Sequence, residues 1–439
     1  MARVLVHVTT APGHLFPLVP GLLELGRRGH DVQVRVGAEL VGVARDAGLD
    51  AVPTDPRIDA IPVATPAEET GPNGLRRALG GLMARGPAER ADLTAAIETF
   101  NPDVVLVDIN AYGAAVAAEA AARAGGPRWA TTLPSLLPLR GAGIPPYGLG
   151  LAPARGPLGR LRDRALWPVV IRQFGKAMLP PLNLMRAEAG LAPLASPFDH
   201  VLTSDRLLVL TGDPLEYPRA DLPESVRFVG AQQWDPPAET PDWLAEPGAP
   251  WVLVTTSTDY QGDERLAEVA VEALRGELVG VLVTLGGAYD TARLESAGNV
   301  RVERFVPHGP VLAHAAAVVC HGGMGITQKA IAAGVPVVAV PFGRDQPEVA
   351  RRVAEAGAGL VLPAKRLTAD RRARGRPRGD RGRARGPGRG RADARERRPR
   401  PPRRRRRGAR RSLPGPAYRR GPLTRVRPSG RQRRAGTTR

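Results

Sequence analysis

Three side chains stand where their type and setting allow chemistry: His14, Asp108 and His321. His321 opens the string His321-Gly322-Gly323-Met324-Gly325, directly after the apolar run Ala317–Cys320. Three glycines there let the backbone turn sharply and approach a ligand closely. The pattern predicts a strand, this loop and a short helix over about Ile326–Ala333, stopped by Gly334 and the Val335-Pro336 pair. A further strand over Val335–Pro341 completes a βαβ unit. The free N–H groups and positive dipole end of such a helix suit phosphate oxygens, and His321 can add a hydrogen bond. Taken alone, the string also reads as a plain glycine-rich turn.

His14 follows the loop Thr9–Gly13 and precedes Leu15, Leu18, Val19, Leu22 and Leu23, which share one helical face ending near Gly29. Pro17 and Pro20 fit if that helix starts near Pro17, where N–H groups have no intrahelical partner. A neutral imidazole at this place can take a proton from a hydroxyl, and a helix N-terminus disfavours the imidazolium. A lone histidine at such a junction is also a common structural or solvated residue. Asp108 ends the run Asp103–Val107. An aspartate at the C-terminal end of a parallel strand points into the crevice where open α/β sheets bind ligands; it also reads as the N-cap of the Ala-rich helix behind it. His7 inside a strand reads as packed core, Asp103 as surface, and Cys320 as a buried small hydrophobe.

The elements that must position these residues follow from the apolar pattern. Arg3–Val8, Val32–Val36, Trp129–Thr132, Leu207–Leu210 and Arg227–Val229 read as strands of a first domain. Residues from about Pro56 to Gly86 are rich in Pro and Gly and weakly patterned, which predicts loops and short helices over a cleft. Pro134–Pro153 is apolar coil, fit either to cover a ligand cleft or to cover core, and Leu158–Ala189 carries helical patterns. Gln232–Gly248 is a polar, Pro-rich linker. A second domain begins with the strand at Trp251, runs into Thr255-Thr256-Ser257-Thr258, and continues with a strand at Val279–Thr284. The expected division is 1–230, 231–250, 251–363 and 364–439.

Further residues join these into a signature. Phe305-Val306-Pro307-His308 lies upstream of the glycine loop, Asp345-Gln346 lies downstream, and the opening reads GHLFPLVPGLLELGRRGHDV. Residues 1 to about 363 resemble the nucleotide-sugar-dependent glycosyltransferases that act on natural products, with the GT-B fold and the N-terminal pattern GHxxPxxxL then GHxV. The likeness is strongest to actinobacterial enzymes that decorate macrolides, enediynes and aromatic polyketides. It implies two Rossmann-like domains facing across a cleft, a dTDP- or UDP-sugar donor, a hydrophobic acceptor and no metal. It further implies an inverting transfer with His14 as general base and Asp108 as its orienting partner. Ser257 or Thr258 would meet the donor phosphates, with His321, Gly322, Gly323, Met324 and Gly325. Phe305 would stack on the base and Val306 offer backbone groups to its edge, while Asp345 and Gln346 would bind sugar hydroxyls. The segment Pro134–Pro153 resembles the acceptor-side loop of polyketide-modifying members. Two positions depart from the family pattern. Ile326 replaces a phosphate-binding Ser or Thr, and Lys329 replaces the Glu that holds ribose hydroxyls in many UDP-sugar users. The second departure favours dTDP over UDP.

Charge divides the chain unevenly. The whole carries +20, but residues 365–439 hold 31 basic and 4 acidic side chains, so the rest, with 32 and 39, nets −7. A single cysteine excludes an internal disulfide and fits a reducing cytoplasm. No apolar segment reaches membrane-span length, and the start MARVLVHV reads as a strand, without the pattern of a signal peptide. Past about Pro363 the Arg-rich string has no apolar periodicity and is expected to be disordered. Such a string suits non-specific phosphate contact; it is also what a shifted reading frame yields in a GC-rich gene, the reading favoured here. The resemblance implies closing C-terminal helices, which this stretch does not supply. Competing readings are a damaged, non-catalytic body with a nucleic-acid-binding tail and a nucleotide-sugar epimerase of the same fold. Monomer and homodimer are both compatible with the sequence.

Overall fold

Short apolar runs alternating with helical patterns build two parallel sheets. The computed structural model describes residues 1–62, 72–244, 246, 248–257, 263–286 and 294–367. The first sheet and its helices run β1 (Arg3–His7), α1 (Pro12–Leu15), α2 (Val19–Arg27), β2 (Asp31–Val36), α3 (Ala38–Asp46), β3 (Asp50–Pro53), α4 (Pro56–Asp59), α5 (Pro72–Phe100), β4 (Val104–Asp108), α6 (Tyr112–Arg123), β5 (Arg128–Leu133), α7 (Pro157–Glu188), β6 (Arg206–Val209) and β7 (Val226–Phe228). The second runs β8 (Trp251–Thr255), α8 (Glu264–Leu274), β9 (Gly280–Thr284), β10 (Val300–Glu303), α9 (His308–Leu312), β11 (Ala315–Cys320), α10 (Met324–Ala332), β12 (Val337–Ala339), α11 (Gln346–Glu355) and β13 (Gly359–Val361). The chain divides into the unit Met1–Gly375, which holds both sheets, and the unit Arg376–Arg439. The expectation for the Arg-rich stretch beyond 367 lies outside the described residues.

Strand order fixes where a site can form. The sheets read β3-β2-β1-β4-β5-β6-β7 and β10-β9-β8-β11-β12-β13. The order reverses between β1 and β4 in the first and between β8 and β11 in the second, the switch points where such sheets bind ligands. In register, His7 lies beside Val107 and Cys320 beside Thr255. The segment carrying His14 therefore leaves the sheet next to the loop after Asp108. The loop carrying Ser257 leaves next to the loop that begins at His321.

Two expectations need correction. The stretch Pro56–Gly86 is not mainly loop: after α4, the described residues resume in α5, which runs 29 residues straight through Gly80, Gly86 and Pro87. Leu79, Met83, Leu93, Ala96 and Phe100 are buried along it, so tertiary packing overrides weak local propensity. Its glycine is a contact point: a side chain on Gly113 of α6 would stand 1.8 Å from the Gly86 carbonyl oxygen. The second correction concerns His14, which lies inside the four-residue α1 instead of ahead of one continuous helix. Pro17 has no N–H to extend α1, and the chain restarts as α2 with Pro20 in its first turn. His14 therefore sits in the first turn of the short α1 and ahead of the longer α2.

Pro134–Pro153 is coil, and it packs as core: Leu136, Leu137, Leu139 and Ile144 are buried. It also touches the second sheet's layer, since Gly150 N donates to Glu348 Oε2 at 3.2 Å and Arg351 Nε donates to Gly150 O at 3.1 Å. In the linker, Trp234 packs edge-on against Phe16, with centroids 5.0 Å apart, and Asp235 pairs with Lys329 and accepts from Gly309 N at 3.0 Å. No helix among the described residues is long and apolar enough to cross a membrane.

Candidate active site

The first half of the site grows from the β1/β4 switch point. His14 Nδ1 lies 2.7 Å from Asp108 Oδ2, and Asp108 is fully buried while the ring keeps 21% exposure. Asp108 Oδ1 accepts from Thr9 Oγ1 at 2.7 Å and from Asn110 N at 3.0 Å. The carboxylate thus has a partner on both oxygens, as a buried polar group requires. It is not an N-cap: α6 starts at Tyr112 after Ala111, with no side-chain cap. An ionised Asp108 takes the hydrogen of Nδ1 and leaves the lone pair of a neutral ring on Nε2. Asn110 Nδ2 stands 3.3 Å from that Nε2.

The second half grows from β8 and β11. Gly323 caps the start of α10, and a side chain on it would meet His321 Nε2 at 2.2 Å, so the ring lies directly over this residue. Gly322 has φ +87, a backbone state that favours glycine, and sits against Gln346 O. A side chain at Gly325, by contrast, would meet nothing within 4 Å. Met324 is partly buried between them. The first turn of α10 therefore faces open space on its Gly325 side. Burial, aided by the nearby Arg344 charge, lowers the His321 imidazole to about 4, so it is neutral at neutral pH. Its Nδ1 lies 3.6 Å from Asp263 Oδ2.

The remaining expected residues fall into distinct states. Ser257 is buried and donates from both N and Oγ to Asp263 Oδ2, each at 2.8 Å, so its hydroxyl hydrogen is already engaged. Thr258 lies outside the described residues. Phe305 is 50% exposed, while its neighbour Val306 is buried in the core of the second sheet. Ile326 is part of that same core, as its departure from the hydroxyl pattern implies. Gln346 is buried and its Oε1 accepts from Phe342 N at 2.7 Å and Gly343 N at 3.1 Å, so this oxygen is committed to the backbone. Asp345 stands just ahead of α11. Burial raises its carboxyl above the ordinary range, against the opposing pull of Arg344 and His14. His14 belongs to the first sheet and Asp345 to the second, so the two halves lie within electrostatic reach of each other.

Three residues with a place in this site carry no signal in the sequence. Asn110 sits in a turn, where Asn is common for local reasons. Asp263 lies 6 residues beyond Ser257 and is fully buried, with burial raising its carboxyl against the Ser257 hydrogen bonds. Arg344 holds φ +54, a strained state for a non-glycine residue, beside Asp345 and within electrostatic reach of His321. Lys329 is bound to the linker: its Nζ donates to Trp234 O at 2.9 Å and pairs with Asp235.

Comparisons with known proteins agree with this architecture. The profile described as Erythromycin biosynthesis protein CIII-like, C-terminal domain, matches residues 271–393. The chain is 35% identical over 383 residues to 4'-demethylrebeccamycin synthase of Lentzea aerocolonigenes, covering 84% of this chain and 89% of that protein. Among solved structures, the glycotransferase of kitacinnamycin superposes with a TM-score of 0.65 at 24% identity, over 84% of this chain and 88% of that one. The glycosyltransferase VinC in complex with DTDP gives a TM-score of 0.59 at 25% identity, with the same coverage of 84% and 88%. Two parallel sheets, each with its own switch point, joined to a relative of this identity and coverage, place the chain in the family of natural-product glycosyltransferases with the GT-B fold.

Proposed function

We propose that this glycosyltransferase moves a sugar from a dTDP-sugar to a hydroxyl of a hydrophobic natural product with inversion at the anomeric carbon. The observation that carries the reading is the His14–Asp108 pair at 2.7 Å with Asp345, on the other sheet, within electrostatic reach of the same imidazole. His14 Nε2 takes the proton of the acceptor hydroxyl as its oxygen attacks the anomeric carbon. The bond from that carbon to the phosphate oxygen breaks, and the diphosphate leaves with its electron pair. Asp108 holds the hydrogen on Nδ1 and stabilises the imidazolium that forms. The α10 N-terminus receives the charge of the leaving diphosphate, with the neutral His321 as an added donor.

Phe305, half exposed beside a buried Val306, suits stacking on the nucleobase, and Asp345 with Gln346 suits the sugar hydroxyls. With the Ser257 hydroxyl turned to Asp263, Thr258, which matches the family position, is the hydroxyl we assign to the phosphates. A dTDP donor is supported by Lys329, which replaces the Glu of many UDP-sugar users and is a cation paired with Asp235 of the linker. The relative acting in rebeccamycin formation and the DTDP complex of VinC support the same donor and acceptor classes. The single buried Cys320 suits a cytoplasmic enzyme. The 1–230, 231–250 and 251–363 division, followed by a frameshift-derived tail, is part of the same proposal.

The test is transfer from a panel of dTDP- and UDP-sugars to aromatic and macrocyclic aglycones, followed by mass spectrometry and by anomeric coupling constants. Product of inverted configuration that disappears in His14→Ala is expected. Product retained at the wild-type rate in His14→Ala overturns the assignment of the base.

A further inference from the structure

The turn after β4 places an amide on the face of the base that must receive a proton. Asp108 Oδ2 faces His14 Nδ1 at 2.7 Å, and Asn110 Nδ2 faces His14 Nε2 at 3.3 Å. A carboxylate can only accept, so it requires the ring hydrogen on Nδ1. A neutral ring then offers only a lone pair at Nε2, and the side chain of Asn110 meets it with its NH2 end. The orientation of the amide is set by the network and not by the shape of the side chain.

We propose that Asn110 is a positioning residue for the transfer reaction, whose amide donates to His14 Nε2 and holds the imidazole in the one tautomer able to accept a hydroxyl proton. The inference rests on the reading of His14 as base. Asp108 and Asn110 act on opposite nitrogens and select the same tautomer, one by accepting and the other by donating. An acceptor hydroxyl needs the same lone pair, so it displaces the amide when it binds. Once Nε2 carries the proton, the NH2 end would face a donor, so the amide favours the neutral ring over the imidazolium.

Turn formation alone does not explain the residue. The bond that ties this turn to Asp108 is made by the Asn110 backbone N–H, and it survives any substitution except proline. Among the described residues, the charged groups shown to interact with the ring include Asp108 on β4 and Asp345 ahead of α11. Asp108 in turn adds to the burial that raises the Glu89 carboxyl of α5 and the Tyr112 phenol of α6. None of them changes in an Asn110 variant.

The experiment titrates full-length protein labelled with 15N-histidine, with the His14 signals assigned by their loss in His14→Gln. In Asn110→Ala the ring is expected to titrate at higher pH than in the wild type, with a smaller share of the Nδ1–H tautomer. In Asn110→Asp, where a carboxylate faces Nε2, it is expected to titrate higher still. In parallel, kcat/KM at pH 6 falls roughly 3–10-fold in Asn110→Ala and the gap closes above pH 8, with the acceptor KM unchanged or lower. An unmoved titration and tautomer ratio in Asn110→Ala overturns the inference, and that variant decides alone should Asn110→Asp fail to fold. The base assignment fails separately, if the acid limb of the rate profile persists in His14→Ala.

Discussion

Arg352 of α11 donates at 3.1 Å to Glu216 Oε2 in the loop after β6, joining the helix of the second sheet that starts at Gln346 to the first sheet's layer. The guanidinium is 1% exposed, also donates to Leu215 O at 3.0 Å, lies 3.4 Å from Glu348 and stacks 4.0 Å over Tyr217. Glu216 in turn accepts from Leu137 N at 2.9 Å and from Thr211 Oγ1 at 3.0 Å, so the apolar coil 134–153 hangs on the same centre. One cation pairs directly with two buried acids here, and removing it leaves only the electrostatic reach of Arg219 to offset them. Arg352→Met is therefore expected to destabilise the protein by about 3–5 kcal/mol in denaturant titration. Adding Glu216→Gln and Glu348→Gln should recover part of that loss. A change below about 1 kcal/mol in the single variant contradicts this account of the contact.

Gly323 and Gly325 are separable by experiment. Gly323→Ala pushes a methyl into His321 Nε2, so nucleotide affinity should fall with the ring displaced. Gly325→Ala meets nothing within 4 Å and replaces glycine in a helix, so the fold should hold or gain up to about 1 kcal/mol. Its methyl would nonetheless enter the space over the first turn of α10, and affinity for a nucleoside diphosphate should drop with melting temperature intact. Wild-type affinity in Gly325→Ala would place the diphosphate elsewhere.

Asp108→Asn tests the orientation of the base. An amide opposite Nδ1 can present NH2, which puts the ring hydrogen on Nε2 and removes the lone pair the acceptor needs. The rate at neutral pH should fall on the order of 10³–10⁴-fold while nucleotide binding, on the other sheet, is unchanged. Steady-state rates beside nucleotide titrations of the same preparation check both halves.

Acid should weaken the fold through buried histidines. His200, His308 and His321 are each lowered from 6.5 to about 4, in every case chiefly by burial. Unfolded chains take up these protons near pH 6.5 and the native state refuses them until about pH 4. The stabilisation is therefore full above pH 6.5 and is lost as pH falls toward 4. Each histidine accounts for about 2 kcal/mol of the loss between pH 7 and pH 5. In His200→Gln that loss should shrink by this amount, as read from urea midpoints at the two pH values. An equal loss in variant and wild type contradicts a buried neutral His200.

Much of the site is legible in the sequence because switch-point loops carry strong local signals. The strand ending at Asp108, the glycine string after Cys320 and the Asp345-Gln346 pair are local patterns, and the sheets bring them where such patterns imply. What stays hidden depends on distance along the chain. Asn110 meets His14 across 96 residues, and nothing near Asn110 in sequence announces that ring. The long α5 is masked because Gly80, Gly86 and Pro87 speak against a helix locally, whereas a side chain on Gly113 would strike the Gly86 carbonyl and one on Gly86 would strike Met185. The break between α1 and α2 is masked for the opposite reason: leucine spacing suggests one helix, and the missing N–H of Pro17 overrules it. Arg344 at φ +54 has no sequence signal, since glycine or asparagine is the usual occupant of that state.

The most direct test is calorimetric titration of the full-length protein with dTDP and with UDP. The account predicts one site per chain, tighter for dTDP than for UDP, and weakened at least roughly tenfold in His321→Ala, which removes one hydrogen bond to a charged phosphate. Absence of binding by both nucleotides, or binding indifferent to His321→Ala and Gly325→Ala alike, would contradict a diphosphate site at the start of α10.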